Sequence, residues 1–307
     1  MSGRWTRRGL RVPPAVMRLG VRQLGRRCLN PSLPWPAQRS RLDQLTRPAL
    51  LPRGVTVTEQ AVGGVPAEVV SVREPNPSRT VVHFHGGGYC VGSPRTIRGW
   101  AAHLSVKTGA RVVLPDYRLA PEHPFPAALD DARAVMKAVA AETAADALVV
   151  AGDSAGGGLA LALLLALRDD GQEQPAGCVL LSPWLDLGRD RRADPDLVRR
   201  DLMLSPDWLD ACARAYAQPS DWSSSPISPL HGTLSGLAPL LIQGGTDELL
   251  APDAELLAAG ASAAGVDVTY SRWPRMWHDF ALQPGMLAAA DSALEQAAWF
   301  VTKVTAR

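Results

Sequence analysis

A serine hydroxyl is a weak nucleophile at neutral pH unless a base takes its proton and an acid orients that base. The sequence Gly152-Asp153-Ser154-Ala155-Gly156-Gly157 places one serine where it can be used this way. Before it, Ala147-Leu148-Val149-Val150-Ala151 is an unbroken apolar run, as in a strand buried on both faces. After it, Leu159 to Leu167 is Ala/Leu-rich and reads as a buried helix. A tight strand-to-helix turn lifts Ser154 to the top of a sheet, and glycines on either side leave room for the turn. The bland alternative is a glycine-rich turn without chemistry. A nucleotide loop fits worse, because Gly-x-Gly-x-x-Gly is absent here and no Gly-Lys-Ser/Thr follows.

Where a serine sits on such a turn, the chain order of its partners is acid, then base. Only His231 and His278 follow Ser154. His231 precedes the apolar run Leu240–Gln243, so no strand-end acid stands between it and the serine. His278 lies in the loop after the last predicted strand, Val266–Trp273, where catalytic groups gather in open α/β sheets. His278 is therefore the expected base. The acid should follow Leu240–Gln243, in Gly244-Gly245-Thr246-Asp247-Glu248. Asp247 is preferred, being nearer the strand end and short enough for a tight turn. Glu248 stays open as a rival, and Asp253 is a distant third. A second glycine run, His85-Gly86-Gly87-Gly88-Tyr89, ends the predicted strand Thr80–Phe84 and leaves backbone N–H groups open to a negative oxygen. Its N–H groups and that of Ala155 make an oxyanion site. His83 and His85 alternate on a strand, and H-E-x-x-H and paired-cysteine spacings are absent. The chemistry therefore calls for no metal and no cofactor.

The elements that must hold these residues are legible as an alternation. Val55–Val62 and Ala67–Val72 flank Gly63-Gly64 as a hairpin, and Glu74 to Ser78 is a turn. Strands at Thr80–Phe84, Arg111–Leu114, Ala147–Ala151, Gly177–Leu181, Leu240–Gln243 and Val266–Trp273 alternate with helical stretches. The pattern is an α/β fold, a parallel sheet with helices on both faces. From Arg189 to Pro229 the alternation stops, and the segment reads as an insertion over the strand ends. Residues 1–50 read as short helices broken by proline.

The 307 residues are 46% hydrophobic and 20% charged, an ordinary globular composition. Net charge is +2, but the first 53 residues carry twelve arginines against Asp43, or +11, and the remainder carries −9. An acidic body argues against a nucleic-acid binder. Arg7-Arg8 resembles a twin-arginine signal, yet Arg11, Arg18 and Arg22 interrupt any apolar stretch behind it. The preferred reading is an amphipathic helix packed on the body, with Val12, Val16, Leu19 and Leu24 at near-helical spacing. The same reading allows a weak membrane-surface contact through the arginine-rich start, and leaves a homodimer open. Cys28, Cys90, Cys178 and Cys212 are scattered, as expected of free thiols in the cytoplasm.

His85-Gly86-Gly87-Gly88, Asp116-Tyr117-Arg118-Leu119-Ala120-Pro121-Glu122, Gly152-Asp153-Ser154-Ala155-Gly156-Gly157 and Ser182-Pro183-Trp184 occur in this order. From about Val55 to the C-terminus, the chain resembles the bacterial hormone-sensitive-lipase-like carboxylesterases, the α/β-hydrolase fold-3 family. The resemblance implies an α/β-hydrolase fold with a mostly parallel eight-stranded sheet and a helical cap. Residues 1–50 and an insertion at about 189–229 would form that cap, with 51–307 as the catalytic domain. It implies hydrolysis of short- to medium-chain acyl esters through an acyl-enzyme, with lactone or acetyl-ester hydrolysis as variants. A non-catalytic ligand receptor on the same fold is the reading from another class. The triad becomes Ser154, Asp247 and His278, with Gly87, Gly88 and Ala155 as oxyanion donors and Gly86 beside them. Two departures stand out. The family's Asp-Pro-Leu is here Asp247-Glu248-Leu249, which keeps Glu248 in play. Its His-Gly-Phe is here His278-Asp279-Phe280, with Asp279 read as facing solvent.

Overall fold

The protein is described by a computed structural model covering residues 12–46, 51–76 and 79–306. The Arg7-Arg8 pair and the Pro77-Ser78 end of the expected turn lie outside the described residues. Two helices open the chain, α1 (Pro14–Cys28) and α2 (Trp35–Thr46), each entered or preceded by proline. The hairpin β1 (Val55–Val62) and β2 (Val65–Val72) follows, then β3 (Thr80–Phe84), α3 (Pro94–Thr108), β4 (Arg111–Pro115) and α4 (Ala127–Ala140). The centre is β5 (Leu148–Asp153), α5 (Ala155–Asp169) and β6 (Gly177–Leu181). Two helices, α6 (Pro195–Arg200) and α7 (Pro206–Tyr216), occupy the break in the alternation. The chain ends with β7 (Leu240–Gly245), α8 (Ala251–Ala263), β8 (Val268–Trp273) and α9 (Ala288–Val304).

One sheet orders the strands β1-β2-β4-β3-β5-β6-β7-β8. The first hairpin and the β2/β4 pair are antiparallel; every pair from β4 onward is parallel. Parallel strands need crossover helices, which cover both faces and make β3, β5, β6 and β7 fully buried. On one face Ile97, Trp100 and Leu104 of α3 meet Leu294 and Val301 of α9. On the other, Leu159 and Leu163 of α5 pack with Val135 of α4 and Leu257 of α8. The edge strand β1 leaves Val55, Val57 and Val62 half-buried and its other residues exposed, as the solvated rim of a sheet should.

The segment expected to be an insertion is tied down by one buried ion pair. Arg191 reaches Asp253 of α8 at 2.8 Å, with side chains 3% and 0% exposed. Asp253 also accepts from the Leu185 and Asp186 amides, so the carboxylate is fully used. The N-terminal helices rest on the same region. Trp208 Nε1 of α7 donates to Gln38 Oε1 of α2 at 2.9 Å, and Arg39 binds the carbonyls of Cys90 and Ala120.

Candidate active site

Ser154 stands between β5 and α5 with φ 52° and ψ −122°, a left-handed backbone in a residue that has a Cβ. Two contacts over-determine the turn: Ser154 N–H donates to Leu181 O, and its carbonyl accepts from Trp184 N–H, both at 2.9 Å. This accounts for Ser182-Pro183-Trp184, which wraps behind the serine. It also accounts for two glycines. A Cβ on Gly152 would overlap Gly156 O, and one on Gly156 would overlap Phe84 O.

His278 lies in the loop after β8, as its chain position predicts. Ser154 Oγ lies 3.0 Å from Nε2, and Nδ1–H donates to a carboxylate at 2.8 Å. That carboxylate is Glu248, which corrects the expectation of Asp247. Glu248 is completely buried, and its second oxygen accepts from the Gly245 amide (2.6 Å) and Ser182 Oγ (3.1 Å). Its extra methylene lets it reach the ring from one residue further along the turn. Asp247 faces the opposite way, to Arg18 of α1 at 3.1 Å and Arg200 of α6 at 3.5 Å. It joins the strand-end loop to those helices and does not touch His278. Asp253 belongs to the Arg191 pair, away from the ring.

The triple-glycine loop is held by an aspartate that the sequence reading did not single out. Asp153 Oδ1 is 2.8 Å from His83 Nε2, and Oδ2 accepts from Gly86 N–H at 2.9 Å. Gly86 is therefore a structural link and not a free donor, which corrects its place among the oxyanion groups. The Gly87, Gly88 and Ala155 amides have no protein acceptor among the described residues. Gly87 and Gly88 sit at φ 122° and 61°, a region open to glycine at little cost. His85 stacks on Tyr117 with centroids 4.3 Å apart, and Tyr117 Oη–H donates to His85 O. The Asp116-Tyr117 motif thus supports the loop from behind. The only signal for Asp153 was its place beside Ser154.

Electrostatically, His278 is surrounded by acid. Burial opposes its charge, but Asp279 and then Glu248 outweigh burial and hold its pKa well above the ordinary imidazole value. Asp279 does not face solvent as expected. It adopts φ 56°, turns inward, and brings Oδ2 to 3.2 Å from His278 Nε2. Burial pushes its carboxyl up to about 7 against the pull of the imidazolium. Asp201, behind Glu248, is also raised by burial; it caps the Met203, Leu204 and Leu249 amides. Among the described residues no group of three or more His, Cys, Asp and Glu side chains is placed to hold a metal ion.

A parallel sheet with a strained serine after its central strand is the architecture of an alpha/beta hydrolase. The family described as alpha/beta hydrolase fold matches residues 81–282, and the chain belongs to it, within the group of hormone-sensitive-lipase-like esterases. It is 39% identical to an acetyl-hydrolase of Streptomyces hygroscopicus, over 83% of this chain and 84% of that one. It is 33% identical to an esterase of Acinetobacter venetianus, over 87% of this chain and 89% of that protein. A solved hormone-sensitive lipase from a metagenome library superposes with a TM-score of 0.88 at 34% identity, covering 96% of this chain and 99% of its own.

Proposed function

We propose that this protein hydrolyses carboxylic esters of short- to medium-chain acyl groups through an acyl-enzyme. The observation that carries the reading is the continuous chain from Ser154 Oγ through His278 to Glu248, at 3.0 and 2.8 Å. Ser154 Oγ attacks the ester carbonyl while His278 Nε2 takes its proton. Glu248 holds the ring and stabilises the imidazolium. The negative carbonyl oxygen is received by the Gly87, Gly88 and Ala155 amides, whose donors are unspent. The tetrahedral adduct collapses, Nε2 returns the proton to the departing alkoxide, and the acyl group stays on Oγ. Water, deprotonated by the same nitrogen, then attacks the acyl carbonyl and frees the acid and Ser154.

Helices α1, α2, α6 and α7 serve as a cap in this reading. The cap lies close over the oxyanion loop: a Cβ on Gly88 would be 2.6 Å from Cys212 Sγ and 2.9 Å from Trp208 Cη2. So little space favours small acyl groups, and the acetyl-hydrolase relatives make acetyl esters the first to try. Ser154→Ala, assayed on p-nitrophenyl acetate and butyrate, tests the proposal. Turnover at the wild-type rate would remove the serine from the mechanism.

The four buried free thiols support a cytoplasmic location. No helix among the described residues is long and apolar enough to cross a membrane. Helix α1 exposes Val16, Leu19 and Leu24 beside Arg22, Arg26 and Arg27, a face suited to weak contact with an anionic membrane surface. Co-sedimentation with phosphatidylglycerol vesicles, against neutral vesicles, tests that contact.

A further inference from the structure

The Nε2 atom of His278 has two neighbours where the proposed chemistry needs one. Ser154 Oγ lies at 3.0 Å and Asp279 Oδ2 at 3.2 Å. The backbone holds Asp279 in place: its amide donates to Ser182 Oγ, the hydroxyl that also donates to Glu248. Its other oxygen, Oδ1, is buried with no hydrogen-bond partner among the described residues. A carboxylate with one oxygen unmatched gains most by keeping the other on a positive ring. Other acids lie nearby: Glu248 at Nδ1, Asp201 close enough to act on the ring, and Asp153 close enough to act on Asp279. The nearby cations Arg18 and Arg200 are engaged by Asp247.

We propose that Asp279 is a positioning residue for the base, competing with Ser154 for Nε2 and thereby setting the pH at which the triad becomes productive. The inference rests on the esterase reading above. When both carboxylates are ionised, the ring keeps its Nε2 proton between Oδ2 and Oγ. In that state it cannot take the proton from Ser154. Loss of the Nε2 proton frees the lone pair, and Ser154 Oγ–H then donates to it. Once the serine attacks, the imidazolium re-forms beside the same carboxylate and is stabilised by it. Asp279 thus delays the onset of activity as pH rises and supports the rate once activity has begun. Glycine at this position, as in the motif His-Gly-Phe, carries no such group.

The test is the pH profile of kcat/KM on p-nitrophenyl acetate for wild type, Asp279→Asn and Asp279→Gly. Asparagine keeps the shape and loses the charge, and both residues tolerate the left-handed backbone. In both variants the acid limb should move down by about one pH unit or more, each unit being tenfold in the ratio of protonated to free base. The alkaline plateau should fall several-fold, so that the variant profiles cross that of the wild type. A purely structural role would scale the profile uniformly at every pH, and coincident acid limbs in a folded variant overturn the proposal. If the asparagine variant does not fold, the glycine variant decides. A wild-type enzyme that hydrolyses no ester at any pH would sink the esterase reading instead, a separate outcome.

Discussion

Glu248 and Asp247 are adjacent in the chain and point in opposite directions. The Glu248 carboxylate is fully buried against His278 Nδ1, while Asp247 pairs outward with Arg18 and Arg200. Glu248→Gln keeps the shape but loses the negative charge that stabilises the imidazolium. It should lower kcat by about a thousandfold or more, the scale seen when the orienting acid of a serine triad is neutralised. Asp247→Asn should stay within about threefold of wild type, because it removes only partly exposed ion pairs. Steady-state rates on p-nitrophenyl butyrate separate the two; the reverse pattern would restore Asp247 as the acid.

Asp247 has another task, joining α1 to the strand-end loop. A double-mutant cycle with Arg18→Ala and Asp247→Ala should show a coupling of about 0.5–1 kcal/mol in urea unfolding. Arg18 also donates to Arg275 O, so the single Arg18 variant should cost more than the coupling alone. Strict additivity would mean that the pair contributes nothing to seating α1.

Asp153 bridges His83 and the Gly86 amide, and so fixes where Gly87 and Gly88 present their N–H groups. Asp153→Ala leaves two buried polar groups unpaired and should cost about 1–3 kcal/mol of stability. It should also reduce kcat at least tenfold with KM little changed, because displaced oxyanion donors act on the transition state. The check is kcat on protein shown to be folded by its urea midpoint. An unchanged kcat would mean the loop holds itself.

The buried Arg191–Asp253 pair should behave differently from the surface pairs. Arg191→Met leaves the fully buried Asp253 with only the partly exposed Arg189, at 3.1 Å, as a cation and should cost about 3 kcal/mol, read as a lower urea midpoint. Adding Asp253→Asn removes the under-compensated charge yet keeps an acceptor for the Leu185 and Asp186 amides, so it should recover part of the loss. Failure of the double variant to recover anything would place the cost in packing and not in charge.

Local signals carried a good deal of this. The strand–Gly-x-Ser-x-Gly–helix pattern, the triple glycine and the position of His278 after the last strand depend on chain order and backbone sterics, which can be read one stretch at a time. Strand boundaries agreed within a few residues for the same reason: Val268–Trp273 was expected as Val266–Trp273. Helix α3 begins at Pro94, whose ring suits a first helical turn that hydrophobic periodicity does not mark.

Side-chain direction was not legible, because it is set by contacts distant in sequence. Asp247 and Glu248 both follow the strand end, and nothing local says which one turns inward. That choice was made by Ser182, 66 residues earlier, by the Gly245 amide, and by Arg18 and Arg200 drawing Asp247 away. Gly86 looked like its neighbours until Asp153, 67 residues later, took its N–H. Asp279 looked solvent-facing until a left-handed turn and Ser182 aimed it at the ring. The sequence by itself determined the order of strands and helices and placed Ser154 after the central strand and His278 after the last, since backbone sterics and burial act over a few residues. Only the tertiary structure decided which acids reach the imidazole, because that is settled by where charges and donors from distant segments meet.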